Sequence, residues 1–227
     1  MNDPSTTSKR ALIIGASGGI GTALCAELTS RGMHVTGLSR ADDGLDVTDQ
    51  ASVDRVLGEQ VGPFDLIIIA SGILAPKDQT PEKSLDAIDA MTMAQVFATN
   101  AIGPALVLRH VPRLLAMSER SVAAVLTARV GSIGDNGLGG WYSYRASKAA
   151  ANQIVRTAAI EIKRKHNQAV VVAMHPGTVE TPFTKSYPGH RKQQPSQAAA
   201  NILNVLDTLT PEDTGGFFDW AGKRVPW

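Results

Sequence analysis

The strongest constraint on this chain lies near its start. A short apolar run over residues 11–14 stops at Gly15, and the turn Gly15-Ala16-Ser17-Gly18-Gly19-Ile20-Gly21 leads straight into a helical pattern over 22–31. An apolar run bounded by glycine suits a strand buried on both faces of a parallel sheet. Glycines in such a turn let the backbone approach a pyrophosphate, and the helix start behind it offers free N–H donors and partial positive charge. Gly15, Ser17, Gly19, Ile20 and Gly21 are therefore candidate cofactor-binding residues. An ordinary glycine turn is the competing reading, and the rest of the chain decides between them.

Strand and helix patterns alternate from there to the C-terminus. Residues 35–38, 64–70, 122–128, 170–174 and 217–220 read as strands. Helical patterns follow Thr48-Asp49, begin again near Leu85, run over 93–115 and 144–164, and close with Ala199, Ile202, Leu203 and Leu206 at helical spacing. This predicts one domain, 1–227, of the α/β class: a single Rossmann-type doubly wound parallel sheet of about seven strands, with helices on both faces. The connection between strands 2 and 3 is shortened. Only Ala41-Asp42-Asp43-Gly44 precede Leu45-Asp46-Val47, where a parallel crossover generally takes a dozen or more residues. A short third strand is expected there. Ligands of this fold sit at the carboxyl ends of the strands.

Composition excludes several classes of partner. A net charge of +1 gives no electrostatic case for nucleic acid or an anionic membrane. No apolar run approaches the roughly 18 residues of a membrane span, and the polar N-terminus has no signal-peptide core. Cys25, the one cysteine, reads as a packed thiol in a reducing, cytoplasmic setting. The five histidines are scattered without ligand spacing, so no metal is expected.

Tyr144 and Lys148 lie four residues apart, on one face of a predicted helix. An ammonium near a phenol favours the phenolate, and such a pair can pass a proton at neutral pH, which a reduction or oxidation at a carbonyl carbon needs. Alone, that spacing also describes a solvated helix face. In company it does not: the glycine loop, Asp46-Val47, Asn100, Tyr144/Lys148, and Pro176-Gly177 with Thr181 follow in the order of the classical short-chain dehydrogenase/reductase family, which the chain resembles from Arg10 onward. The loop fits the family's T-G-x-x-x-G-I-G with Ile14 in place of Thr. The segment from Gly139 to Lys148 resembles the C-factor-like branch of carbonyl-reductase relatives.

The resemblance implies roles for individual residues. Tyr144 is implied as general acid or base, Lys148 as the group that holds the nicotinamide ribose and lowers the Tyr pKa, and Asn100 as the holder of a relay water. Asp46 would bond the adenine with Val47 packed beside it, or else act as a helix-capping Asp. Ala70-Ser71-Gly72 stands where the family has N-A-G. Pro176, Gly177, Val179 and Thr181 would hold the carboxamide end, with His175 a strand-end packing residue. Ser39 and Arg40 stand just past the second strand, and a guanidinium there suits a 2′-phosphate, so NADP(H) is expected over NAD(H).

The family serine, which polarises the substrate carbonyl, falls at Ala128, preceded by Thr127. Ser132, on a shifted loop, is the expected replacement, the other reading being that the group is missing. Residues 183–195 match a variable substrate lid. The implied function is NADP(H)-dependent hydride transfer between nicotinamide and a small carbonyl or alcohol substrate, in a homodimer or homotetramer. A C-factor-like sensor or signalling protein with little turnover is the alternative.

Overall fold

The computed structural model describes residues 8–185 and 192–227. Strands β1 (Arg10–Ile14), β2 (His34–Leu38), β3 (Leu66–Ile69), β4 (Ser121–Leu126), β5 (Ala169–His175) and β6 (Phe217–Asp219) form one parallel sheet in the order β2-β1-β3-β4-β5-β6. The alternation of side chains along each strand sorts the core into two layers. Ala11 and Ile13 of β1, Leu66 and Ile68 of β3, and Val122 and Ala124 of β4 face α1 (Gly19–Ser30) and α8 (Pro195–Thr208). Leu12, Ile14, Ile67, Ile69, Ala123 and Val125 face the opposite way. That layer is covered by α3 (Gln50–Gly58), α5 (Gly103–Leu108), α6 (Val111–Leu114) and α7 (Tyr142–Lys163). The expected doubly wound sheet is present, with helices on both sides.

Among the described residues the strand count is corrected from about seven to six: Leu45-Asp46-Val47 forms no strand. After β2 the chain makes a one-turn helix, α2 (Arg40–Asp43), and Leu45 N–H bonds back to Ser39 O at 3.1 Å. Four linking residues cannot carry the chain across the sheet to start a new parallel neighbour. Leu45 and Val47 instead become buried plugs in the α3/α7 layer.

Helix α4 (Ala90–Phe97) widens to a π turn over Ala98–Ile102 and continues as α5. The run Ala90–Leu108 is long and apolar enough to cross a membrane by length and composition, contrary to the expectation that no such run exists. Val96, Asn100, Ala101 and Val107 on it are buried, while Met91 and Ile102 are exposed.

Gly103 at the start of α5 shows how tightly the plug fits. A Cβ there would stand 2.9 Å from Val47 Cγ2 and 3.1 Å from Val47 O. Alanine favours a helix over glycine by about 1 kcal/mol, yet Gly103→Ala should lower the melting temperature, because the Val47 backbone cannot give way cheaply. A rise in the thermal midpoint of that variant would show the contact to be loose.

Candidate active site

The cleft opens where β1, β3, β4 and β5 end. Gly15 sits at φ +86°, in the left-handed region, and a Cβ on it would lie 2.9 Å from Ser71 N, so only glycine lets the two strand ends approach this closely. No side chain caps the N-terminus of α1. Its first N–H groups have no intrahelical acceptor and face the cleft with their share of the helix dipole.

The cleft has a volume of about 670 Å³, within the range of small-molecule sites. Ser17, Gly19, Ile20 and Gly21 line one end, Ala70, Ser71 and Gly72 its floor, and Pro176, Gly177, Val179 and Thr181 the far wall. Tyr144 and Lys148 complete it. A Cβ on Gly19 would stand 2.6 Å from Thr181 Cγ2, so the first and third of these segments touch across the sheet. The cradle fits a dinucleotide: an uncapped helix start suits phosphate, and Ser71 Oγ is buried without a hydrogen-bond partner in the structure.

Lys148 is 4 % exposed, and its Nζ donates to Leu126 O at 3.0 Å, at the end of β4. Burial lowers its pKa from 10.5 to about 8. Asn100 is fully buried at the centre of the π turn, where Gly103 N–H bonds back five residues to Ala98 O. Its Oδ1 accepts Ile73 N–H at 2.8 Å, and its Nδ2 donates to Ile73 O at 2.8 Å and Ser147 Oγ at 3.1 Å. These bonds occupy the amide, which ties the loop after β3 to α7. A Cβ on Gly72 would stand 3.3 Å from both Asn100 Oδ1 and Lys148 Nζ, so the two converge behind the cleft floor.

Tyr144 departs from expectation. The ammonium was expected to lower its pKa, but burial raises it, and Lys148 Nζ lies 6.0 Å from the ring centroid with its hydrogen bond turned to Leu126 O. Desolvation of the phenolate outweighs an ammonium at that distance. Tyr144 is held as the neutral phenol. His175, at the cleft edge, is pulled to about 4, first by burial, with Asp219 opposing and Arg129 adding, so it is neutral near pH 7.

Ser132 is a correction. It does not line the cleft; it is 2 % exposed and its Oγ accepts Asp135 N–H at 3.0 Å, closing the turn that follows. Gly131, before it, is pressed on α7, where a Cβ would lie 2.7 Å from Lys148 C. Thr127, not expected to carry a role, lines the cleft beside Ala128 and has a buried, unpartnered Oγ1. Its N–H bonds Met174 O at 2.9 Å, so it continues the ladder, and strand alternation places it on the α7 side.

The adenosine end is also placed differently. Ser39, 3 % exposed, caps α2: its Oγ accepts Asp42 N–H at 3.0 Å and donates to Asp42 Oδ2 at 2.7 Å. Asp46 Oδ1 accepts both the N–H and the hydroxyl of Thr48, which lowers its pKa, while its Oδ2 lies 4.0 Å from Arg40 Nη1. Asp49, not Asp46, caps α3. The Arg40 side chain is 80 % exposed. None of Ser39, Arg40, Asp46 and Val47 lines the main cleft. Of the expected lid, positions 186–191, with His190 and Arg191, lie outside the described residues.

Comparison with known proteins gives the chain's family. The short chain dehydrogenase family pattern matches residues 9–192. The chain belongs to that family. It is 32 % identical to 1-hydroxy-2-glutathionyl-2-methyl-3-butene dehydrogenase of Rhodococcus sp. (strain AD45), over 95 % of this chain and 98 % of the relative. It is 36 % identical to C-signal of Myxococcus xanthus, over 73 % of this chain and 94 % of that protein. A short-chain dehydrogenase/reductase from Burkholderia multivorans, described as putative and solved with bound NADP, superposes with a TM-score of 0.83 at 25 % identity, covering 97 % of this chain and all of that one. This short-chain dehydrogenase carries an oxidoreductase site.

Burying a lysine has a signature in stability. Its folded pKa lies below its unfolded one, so charging Lys148 opposes folding; the penalty is full below about pH 8 and fades as the pH rises towards 10.5. Lys148→Met keeps the stem and removes the charge. Near neutral pH the cofactor-free variant should melt no lower than the wild type, by up to a few degrees higher, and the gap should close in alkaline buffer. A variant melting well below wild type near neutrality would contradict this.

Proposed function

We propose that this short-chain dehydrogenase reduces a carbonyl compound with NADPH, or runs the reverse oxidation with NADP⁺, and that Tyr144 is the proton donor. The observation that carries the reading is the buried, neutral phenol of Tyr144 in the same cleft as the anchored Lys148 and the uncapped start of α1. The reduced nicotinamide would supply a hydride to the carbonyl carbon. Tyr144 would then give its proton to the carbonyl oxygen, and Lys148 would turn from Leu126 O to hold ribose hydroxyls and favour the phenolate left behind. Thr127 is proposed to take the place of the missing serine, since its hydroxyl is the one at the end of β4 without a partner. Asn100 acts through geometry, fixing the floor against α7.

Two aromatic rings flank the acid: Trp141 and Phe183 lie 6.1 and 6.0 Å from Tyr144, both edge-on. With Leu74, Val130 and Leu138 they make the substrate end largely apolar. The NADP(H) preference rests on the exposed Arg40 guanidinium beside Asp46, together with the NADP held by the Burkholderia protein. The proposal keeps a homodimer or homotetramer, built partly on the helices that carry Asn100 and Tyr144. A second reading, a cofactor-binding signalling protein of low turnover, is favoured by Ala128 at the serine position and by the likeness to C-signal.

A panel of neutral aldehydes and ketones, followed by NADPH consumption, separates these readings. Turnover that Tyr144→Phe abolishes, with NADPH affinity retained, supports the enzyme; NADPH binding without Tyr144-dependent turnover supports the signalling protein. Thr127→Val should lower kcat by about 10²-fold if that hydroxyl polarises the carbonyl, whereas Ser132→Ala should change kcat little. The reverse ranking would return the role to Ser132. Arg40→Ala should weaken NADPH binding at least tenfold more than NADH binding, and an equal loss of both would sink the preference.

A further inference from the structure

Glu82 is an acid that the reaction does not use, yet it is 6 % exposed. It lies between β3 and α4, some sixty residues before the helix it touches. A buried carboxylate needs strong compensation, and Glu82 makes no ion pair among the described residues. Its partners are all at the start of α7. One carboxylate oxygen accepts the Ser143 hydroxyl, the other accepts Ser143 N–H at 3.2 Å, and Glu82 O accepts Trp141 N–H at 2.5 Å. The first turn of α7 has no cap of its own. Glu82 supplies it from a distant loop.

What this holds is a turn that a chain would not adopt freely. Gly139 and Gly140 have φ +64° and +65°, and Trp141 follows at φ +54°. Left-handed geometry is unusual for a bulky side chain, and such strain persists only where the surroundings over-determine it. Arg145 braces the same turn from below, its Nε donating to Gly139 O at 3.1 Å and Gly140 O at 3.0 Å. The result is an indole set edge-on against Tyr144, three residues on. Pro81, beside Glu82, also lines a smaller cavity with Phe183, so the same loop borders both rings that flank the acid.

We propose that Glu82 is a positioning residue for the reaction: by locking the strained Trp141 turn onto the first turn of α7, it fixes where the Tyr144 hydroxyl and its aromatic wall meet the substrate. The role is geometric. A glutamine can make the same two contacts, its carbonyl accepting Ser143 N–H and its amide donating to Ser143 Oγ. This proposal rests on Tyr144 being the proton donor.

Three variants of the full chain test it: Glu82→Ala, Glu82→Gln and Ser143→Ala. A misplaced acid can cost about 10²-fold, so Glu82→Ala should lose about ten- to a hundredfold in kcat with the NADPH dissociation constant within about twofold of wild type. Glu82→Gln should stay within about threefold of wild type, and Ser143→Ala should fall between them. A second readout does not need turnover. In a Trp220→Phe, Trp227→Phe background, Trp141 is the sole tryptophan, and its fluorescence anisotropy should drop in Glu82→Ala and hold in Glu82→Gln. Absence of turnover in the wild type defeats the enzyme reading, and the anisotropy then decides the Glu82 contact separately. Unchanged kcat and anisotropy in Glu82→Ala overturn the proposal. So does a folded Glu82→Gln that has lost tenfold or more, since charge would then matter rather than position. Should Glu82→Ala not fold, Ser143→Ala decides: a kcat lowered at least threefold at constant NADPH affinity supports the role, and an unchanged kcat rejects it.

Discussion

One buried ammonium ties α7 to the sheet. Lys148 Nζ donates to Leu126 O at the end of β4, and every other feature of the cleft is placed relative to that join. It joins α7 to the end of β4 one helical turn from Tyr144. Leu126, Thr127 and Ala128 line the cleft beside it. Keeping a lysine this deep is unfavourable for folding, which burial shows by drawing its pKa to about 8. A fold selected for stability alone would place an apolar side chain there. The function proposed above would account for the charge, since an ammonium there could turn from Leu126 O to ribose hydroxyls and favour a phenolate.

The remaining ties bring distant parts of the chain to that join. Asn100 fixes the loop after β3 to α7, Thr181 rests on Gly19, and Glu82 caps the helix that carries Tyr144. Each joins segments far apart in sequence, and none needs a long or charged side chain at the surface. The cleft is therefore set before any ligand arrives.

Much of this was legible in the sequence because it is local. The glycine turn between an apolar run and a helix announced the strand–turn–helix, and alternation of patterns announced the parallel sheet. Even the short Ala41–Gly44 link showed that something was missing, although it took the structure to show that Leu45 and Val47 became core plugs rather than a strand. The failures share one cause: they depend on which way a side chain turns. Ser132 had the right residue type and roughly the right separation from Tyr144, but its hydroxyl accepts Asp135 N–H instead of facing the cleft. Ser39 had the right position, but its hydroxyl caps α2. The sign of the Tyr144 shift required knowing its burial, and Glu82 offered no motif, since its partners lie some sixty residues away.

The central claim is that burial keeps Tyr144 protonated until a ligand recruits Lys148. It is tested most directly by titrating the Tyr144 phenol in the cofactor-free protein, using ¹³Cζ-tyrosine NMR with Tyr142 and Tyr187 replaced by phenylalanine. The account predicts that the Tyr144 resonance stays at its protonated position beyond the ordinary tyrosine pKa of about 10. Ionisation below that value, without cofactor, would show that Lys148 already governs the phenol and would contradict the account.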